Sequence, residues 1–158
     1  MKSTNTSNEK KRKNIEEIVV MKKIVKVYET ILAYNTIKNI IEHDTDNKIN
    51  PALKFKLLML YHNTLSPIFN EYDNTRVSLI KNYGVETKDE DGNVIGMEIP
   101  ENSNIQNKFK KDMKEIQDND IEINFTPITY SELFGMGLPV EECETLIIIT
   151  EDNEYKGE

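Results

Sequence analysis

The sequence predicts an α+β single domain, in which a long antiparallel helical hairpin is followed by a small antiparallel sheet with a third helix. Three observations predict it. Before Gly84, apolar residues recur at three- and four-residue steps through two long stretches. The turn-forming run D-E-D-G-N at 89–93 then separates two short flanks, V-E-T-K and V-I-G-M-E-I. Beyond it, I-E-I-N-F at 121–125 alternates apolar and polar residues as a half-buried strand does.

Residues 1–13 are poor in apolar side chains and rich in Ser, Thr, Asn and Lys, the composition of a disordered basic arm. The ordered domain is expected over 14–150, with the helical hairpin at 14–84 and an α+β half at 85–150. The remainder, 151–158, reads as an acidic disordered tail. In the first long stretch, Ile24, Val27, Ile31, Tyr34, Ile37 and Ile41 share a helical face that ends near His43. The part before Tyr28 is so rich in β-branched residues that a strand is the alternative there. Met21 offers an alternative start, which would make 1–20 a dispensable extension.

Asn50 is a good N-cap and Pro51 a good first helical residue. From Leu53 a stripe runs through Leu57, Leu58, Tyr61, Leu65, Ile68, Phe69, Tyr72, Leu79 and Ile80, with Gly84 as its stop. Pro67 interrupts this helix and is expected to kink it. The stripe is expected to pack against Ile24, Val27, Ile31, Ile37 and Ile41. After a β-hairpin at 85–99, Ile105, Phe109, Met113 and Ile116 define a third helix at about 103–118, capped by Asn102 or Ser103. Ser131 and E-L-F give one helical turn. For 139–150 both readings stand: Pro139 and three glutamates suit a helix, L-I-I-I-T a strand.

Composition excludes several classes. The longest apolar run, Leu57 to Tyr61, is far too short for the roughly 20 residues that span a bilayer. Met1 to Lys13 lacks the apolar core of a secretory signal. A single cysteine, Cys143, excludes an internal disulfide and fits a reducing, cytoplasmic compartment. The net charge of −8 is uneven: 1–26 carry +5, while 86–158 carry −13. So acidic a body repels phosphate backbones, and no dedicated nucleic-acid binding is expected.

The stretch T-K-D-E-D-G-N-V-I-G-M-E at 87–98 resembles a twelve-residue calcium loop, with Gly92 sixth, Asp89 third, Asp91 fifth and Glu98 last. Its first place is Thr87 where an Asp belongs, and Pro100 disfavours the helix that should leave the loop. A tight hairpin turn is the better reading. His43 and His62 belong to no ligand cluster. Glutamates at 141, 142 and 144 surround Cys143 and would repel its thiolate. G-M-G at 135–137 lacks the context of a phosphate loop. No catalytic, cofactor-binding or metal-ligating residue is therefore expected, and no cofactor.

The order of elements is familiar. Glu29, Ile31, Ala33, Tyr34, Asn35 and Ile37 in the first helix precede Arg76, Leu79, Ile80, Tyr83 and Gly84 at the end of the second. Lys88 to Asn93, Phe109, Met113 and Ile121 to Ile123 follow. Over about 21–150 this resembles a family of small uncharacterised proteins encoded by tailed bacteriophages. The resemblance implies a phage origin and an accessory role, and supplies no catalytic residues. The expectation is a non-enzymatic protein of the host cytoplasm or the virion. It would act on a phage structural or host protein in virion assembly or as a minor virion component, and form a homo-oligomer in one version. The alternative is an early, host-directed inhibitor or regulator. Its nucleic-acid-mimicking face would join Glu86, Asp89, Glu90, Asp91, Asp118, Asp120 and Glu122.

Overall fold

A computed structural model describes residues 20–46 and 48–151. The expected basic arm at 1–13, most of the dispensable extension at 1–20 and the expected acidic tail from 152 onward lie outside the described residues. Strand β1 (Met21–Lys26) leads into helix α1 (Val27–His43). Helix α2 (Pro51–Met59), a π turn (Leu60–Leu65) and helix α3 (Ser66–Tyr83) form one continuous helical rod. A ribbon of β2 (Val85–Lys88) and β3 (Val94–Glu98) follows, then α4 (Ser103–Gln117) and β4 (Asp120–Phe125). The chain closes with α5 (Tyr130–Gly135), α6 (Val140–Leu146) and a 3₁₀ turn at Ile147–Ile149. The class is α+β, with a helical hairpin followed by small antiparallel sheets.

The stretch before Val27 is a strand, as its β-branched content allowed. It pairs antiparallel with β4, Met21 opposite Phe125 and Lys26 opposite Asp120. Residues far apart in sequence thus join the first helix to the second half of the chain, and the two halves share one core. The period of two has a consequence for Ile24. It faces away from Val25, which is buried, and is itself 72% exposed. On α1 the buried face is Val27, Thr30, Ala33, Tyr34, Thr36, Ile37 and Ile40, so Ile31 and Ile41 only flank it. Ile24, Ile31 and Ile41 are therefore not the central contacts that the pattern predicts.

The core joins this face to Leu53, Leu57, Leu60 and Leu65 of the rod, Ile123 and Phe125 of β4, and Ile128, Leu133, Leu146 and Ile149. Tyr34 lies stacked between two rings: Tyr61 at 4.8 Å and Phe69 at 4.2 Å between centroids. The Tyr61 and Tyr34 hydroxyls are hydrogen-bonded to each other at 3.0 Å. Buried hydroxyls find local partners. Thr30 donates to the Val27 carbonyl at 2.7 Å and Thr150 to that of Leu146 at 2.8 Å. Helix α3 buries no residue fully; its stripe, Ile68, Phe69, Tyr72, Leu79 and Ile80, is half-buried.

Pro67 falls where the rod changes its hydrogen-bonding pattern, directly after the π turn. It is the second residue of α3, so the backbone bond that it cannot donate is missing where π and α hydrogen bonding meet. The turn before it is widened: the Ser66 N–H reaches back five residues, to the Tyr61 carbonyl.

Asn50 caps α2, its side chain accepting from the Ala52 N–H at 2.9 Å, and Asn102 caps α4 in the same way. The segment 139–150 is a helix and a 3₁₀ turn. Pro139 stands at the N-cap and Glu141 and Glu142 in the first turn, where the helix dipole favours them. All that remains of a strand is one parallel bridge between Ile128 and Thr150.

Candidate interaction groove

The turn at 89–93 is built by Asp89. Its Oδ1 accepts from the backbone of Asp91 at 3.0 Å and of Asn93 at 2.8 Å, and Gly92 takes the left-handed φ of 84°. Glu98 sits at the other end of the ribbon, opposite Val85. The rise of β3 separates it from the turn by about 13 Å. Asp89, Asp91 and Glu98 thus do not converge as calcium ligands must. Among the described residues, no three His, Cys, Asp or Glu side chains gather to hold a metal ion.

The other candidates are equally separate. His43 ends α1 with Nδ1 2.8 Å from the Asn39 carbonyl, and it is exposed. His62 stands in the π turn, edge-on to the Tyr61 ring at 5.0 Å. Cys143 is half-buried, its Sγ 3.7 Å from the Leu138 carbonyl oxygen. No hydrogen bond, ion pair or ring contact joins any two of the three.

The acidic residues fall into two groups. Glu86 and Asp89 to Asp91 ride on the ribbon beyond the end of α3, while Asp118, Asp120 and Glu122 follow α4. Helix α4 runs back along α3: Tyr83 donates to Asp112 at 2.6 Å, and the Gln117 amide donates to Tyr72 at 3.1 Å. The two groups therefore lie at opposite ends of this pair. Between them α4 carries four lysines against two acids. Asp120 is also paired with Lys26 at 2.6 Å.

Between α2, the π turn and the end of β4 runs a groove of about 520 Å³. Phe55 (65% exposed) and Met59 (44%) form one wall, Phe125 and Thr126 lie across from them, and Val20 (61%) stands at its end. The Thr64 hydroxyl donates to the Asn124 carbonyl at 3.2 Å and ties the π turn to β4 there. Phe55 and Met59 are four residues apart, on the side of α2 turned away from Leu53 and Leu57. Apolar residues at that spacing outside the buried stripe are the signal that marks the groove in the sequence. π turns are rare, and frequent at functional sites.

Lys56 borders the groove and reaches out of it, to Glu132 Oε1 at 2.9 Å. Beyond it, a cleft of about 680 Å³ between 48–53 and α5 has one carboxylate among its lining residues, Glu132. That group is already committed: the Thr129 N–H and the Lys56 ammonium each donate to it at 2.9 Å, closing a capping box on α5. Burial pushes the Glu132 carboxyl up. The Thr129 backbone and Lys56 outweigh that and hold it below the usual carboxylate range. A depressed folded pKa stabilises the protein above the unfolded value, and that contribution is lost as pH falls through the folded one. Glu132→Gln is expected to cost about 1 kcal/mol near neutral pH and nothing in acid, where the two chains converge. Urea unfolding at both ends of the range measures it.

No family model matches the chain, and no curated protein or solved structure is significantly similar to it. No helix among the described residues is long and apolar enough to cross a membrane.

Proposed function

We propose that this is a non-enzymatic accessory protein of a bacteriophage, acting by protein–protein contact in virion assembly or as a minor virion component. The observation that carries the contact is the apolar groove beside the π turn. Exposed Phe55 and Met59 at helical spacing offer the kind of anchor that a partner's apolar side chains bury. The phage setting rests on the order of elements that resembles phage proteins. Such a protein works in the host cytoplasm or within the particle. The rival, an acidic nucleic-acid mimic, needs one continuous acidic face, and four lysines of α4 stand in the chain between its two acidic groups.

The test is mass spectrometry of purified particles and assembly intermediates from cells infected with phage carrying either the parent gene or Phe55→Ser/Met59→Ser. The parent protein is expected in fixed ratio to a structural protein. The double variant is expected to keep its thermal unfolding within a few degrees, since both side chains are already wet. Its retention is expected to fall by roughly 30-fold, the loss of about 2 kcal/mol of anchoring. Absence of the parent protein from particles and intermediates alike refutes the reading.

A further inference from the structure

The β2–β3 ribbon is the least supported part of the molecule. No residue of either strand is buried, and Val85 (54% exposed), Val94 (56%) and Ile95 (68%) face water. Among the described residues neither strand pairs with anything but the other. A lone two-stranded ribbon is marginal in water, and an unpaired edge is a template for another strand. The two edges differ. On β3 the register slips between Thr87 and Lys88, leaving Ile95 without an opposite number. Such a bulge bends a strand and blunts it for pairing. Strand β2 is regular, so its outer edge is the open one.

Charge decides what fits there. Residues 85–98 carry five acids, Glu86, Asp89, Glu90, Asp91 and Glu98, against the single Lys88. Two ribbons of this composition repel, and the net charge of −8 on the whole chain adds to that. An extended segment bearing Lys or Arg between apolar residues meets the opposite conditions. Its backbone completes the β2 edge, the apolar residues of one face cover Val85, and the cations of the other face meet Glu86 and reach towards the turn acids Asp89 to Asp91.

We infer that the β2 edge of the 85–98 ribbon is a strand-addition site for an extended basic segment of a partner protein, separate from the groove. The α3 helix places it about 27 Å from the π turn.

The experiment uses the full ¹⁵N-labelled chain and three synthetic heptapeptides. One alternates lysine and valine, one alternates glutamate and valine, and the third is the lysine peptide with N-methylated valines. The lysine–valine peptide is expected to shift the amide signals of Val85 to Lys88 and slow their exchange with solvent. The N-methylated peptide keeps the charge but loses backbone donors, and is expected to bind about tenfold more weakly. Glu86→Lys is expected to weaken the first peptide by a similar factor, with Val85–Glu98 cross-strand contacts confirming an intact ribbon. The inference is overturned by no shifts at the ribbon, shifts confined to α4 or the groove, equal binding of the glutamate peptide, or equal binding of the N-methylated one. Ribbon-dependent self-association in sedimentation overturns it in favour of a second copy. Particle incorporation through Phe55 is read independently, so either proposal can fail alone.

Discussion

Tyr34→Ala is expected to lower the free energy of unfolding by about 3–5 kcal/mol, the range for deleting a buried aromatic ring. Tyr34 is 8% exposed and is the middle ring of a three-ring stack. Its removal opens a cavity between α1 and the rod, and both flanking rings lose a stacked partner. Tyr34→Phe separates the ring from the hydroxyl: it keeps the stack and is expected to cost only about 1 kcal/mol. The hydroxyl leaves a mark on pH dependence. The hydrogen bond to Tyr61, and then burial, push the Tyr34 phenol up to about 12. A phenol that holds its proton more tightly when folded stabilises fully below its unfolded value near 10, and that stability is lost as pH rises towards about 12. Urea unfolding across the alkaline range is expected to show this fall in the parent and a shallower one in Tyr34→Phe. A loss under about 1 kcal/mol for Tyr34→Ala would show that the stack is not what joins α1 to the rod.

Gly84→Ala is expected to destabilise by about 1–3 kcal/mol and to displace the ribbon. The reason is not backbone conformation, since Gly84 has an ordinary extended φ of −85°. A Cβ on Gly84 would overlap the Ile80 carbonyl oxygen, which the Gly84 N–H binds at 2.6 Å, and press on the carbonyl of Glu98. Neither is a side chain that can swing away. Two glycines serve as controls. Gly92 has open space but φ +84°, so Gly92→Ala is expected to cost about 1 kcal/mol through strain alone. Gly135 has open space in α5, and Gly135→Ala is expected to gain up to about 0.5 kcal/mol. Thermal unfolding ranks the three, and amide spectra report whether the ribbon signals move in Gly84→Ala alone.

Elements set by local chemistry are readable in the sequence. Asn50 and Asn102 announce their helices, and I-E-I-N-F its strand. D-E-D-G-N announces its turn. What a distant partner decides is not. M-K-K-I-V-K is a strand because β4 lies beside it, and nothing within six residues can say so. L-I-I-I-T has a strand's composition but finds only one bridge, so helix and 3₁₀ turn prevail. The groove is half legible: Phe55 and Met59 are visibly off the stripe, yet Val20 and Phe125 meet them only through the fold. Gly84 is readable as a stop, though for the wrong reason, because the Glu98 carbonyl that crowds it arrives from fourteen residues further on.

The π turn acquires another meaning when the rod is regarded as a rotary coupling. A turn closed five residues back instead of four holds one residue more than its α counterpart, and one residue corresponds to about 100° of rotation. Helix α3 is thereby dialled relative to α2 without the rod breaking. That phase brings Phe69 beneath Tyr34 and directs Tyr72 and Tyr83 to Gln117 and Asp112. It also aims the ribbon that α3 carries. One residue gained or lost between Leu60 and Leu65 would turn everything downstream by more than a quarter of a revolution while leaving α2 untouched.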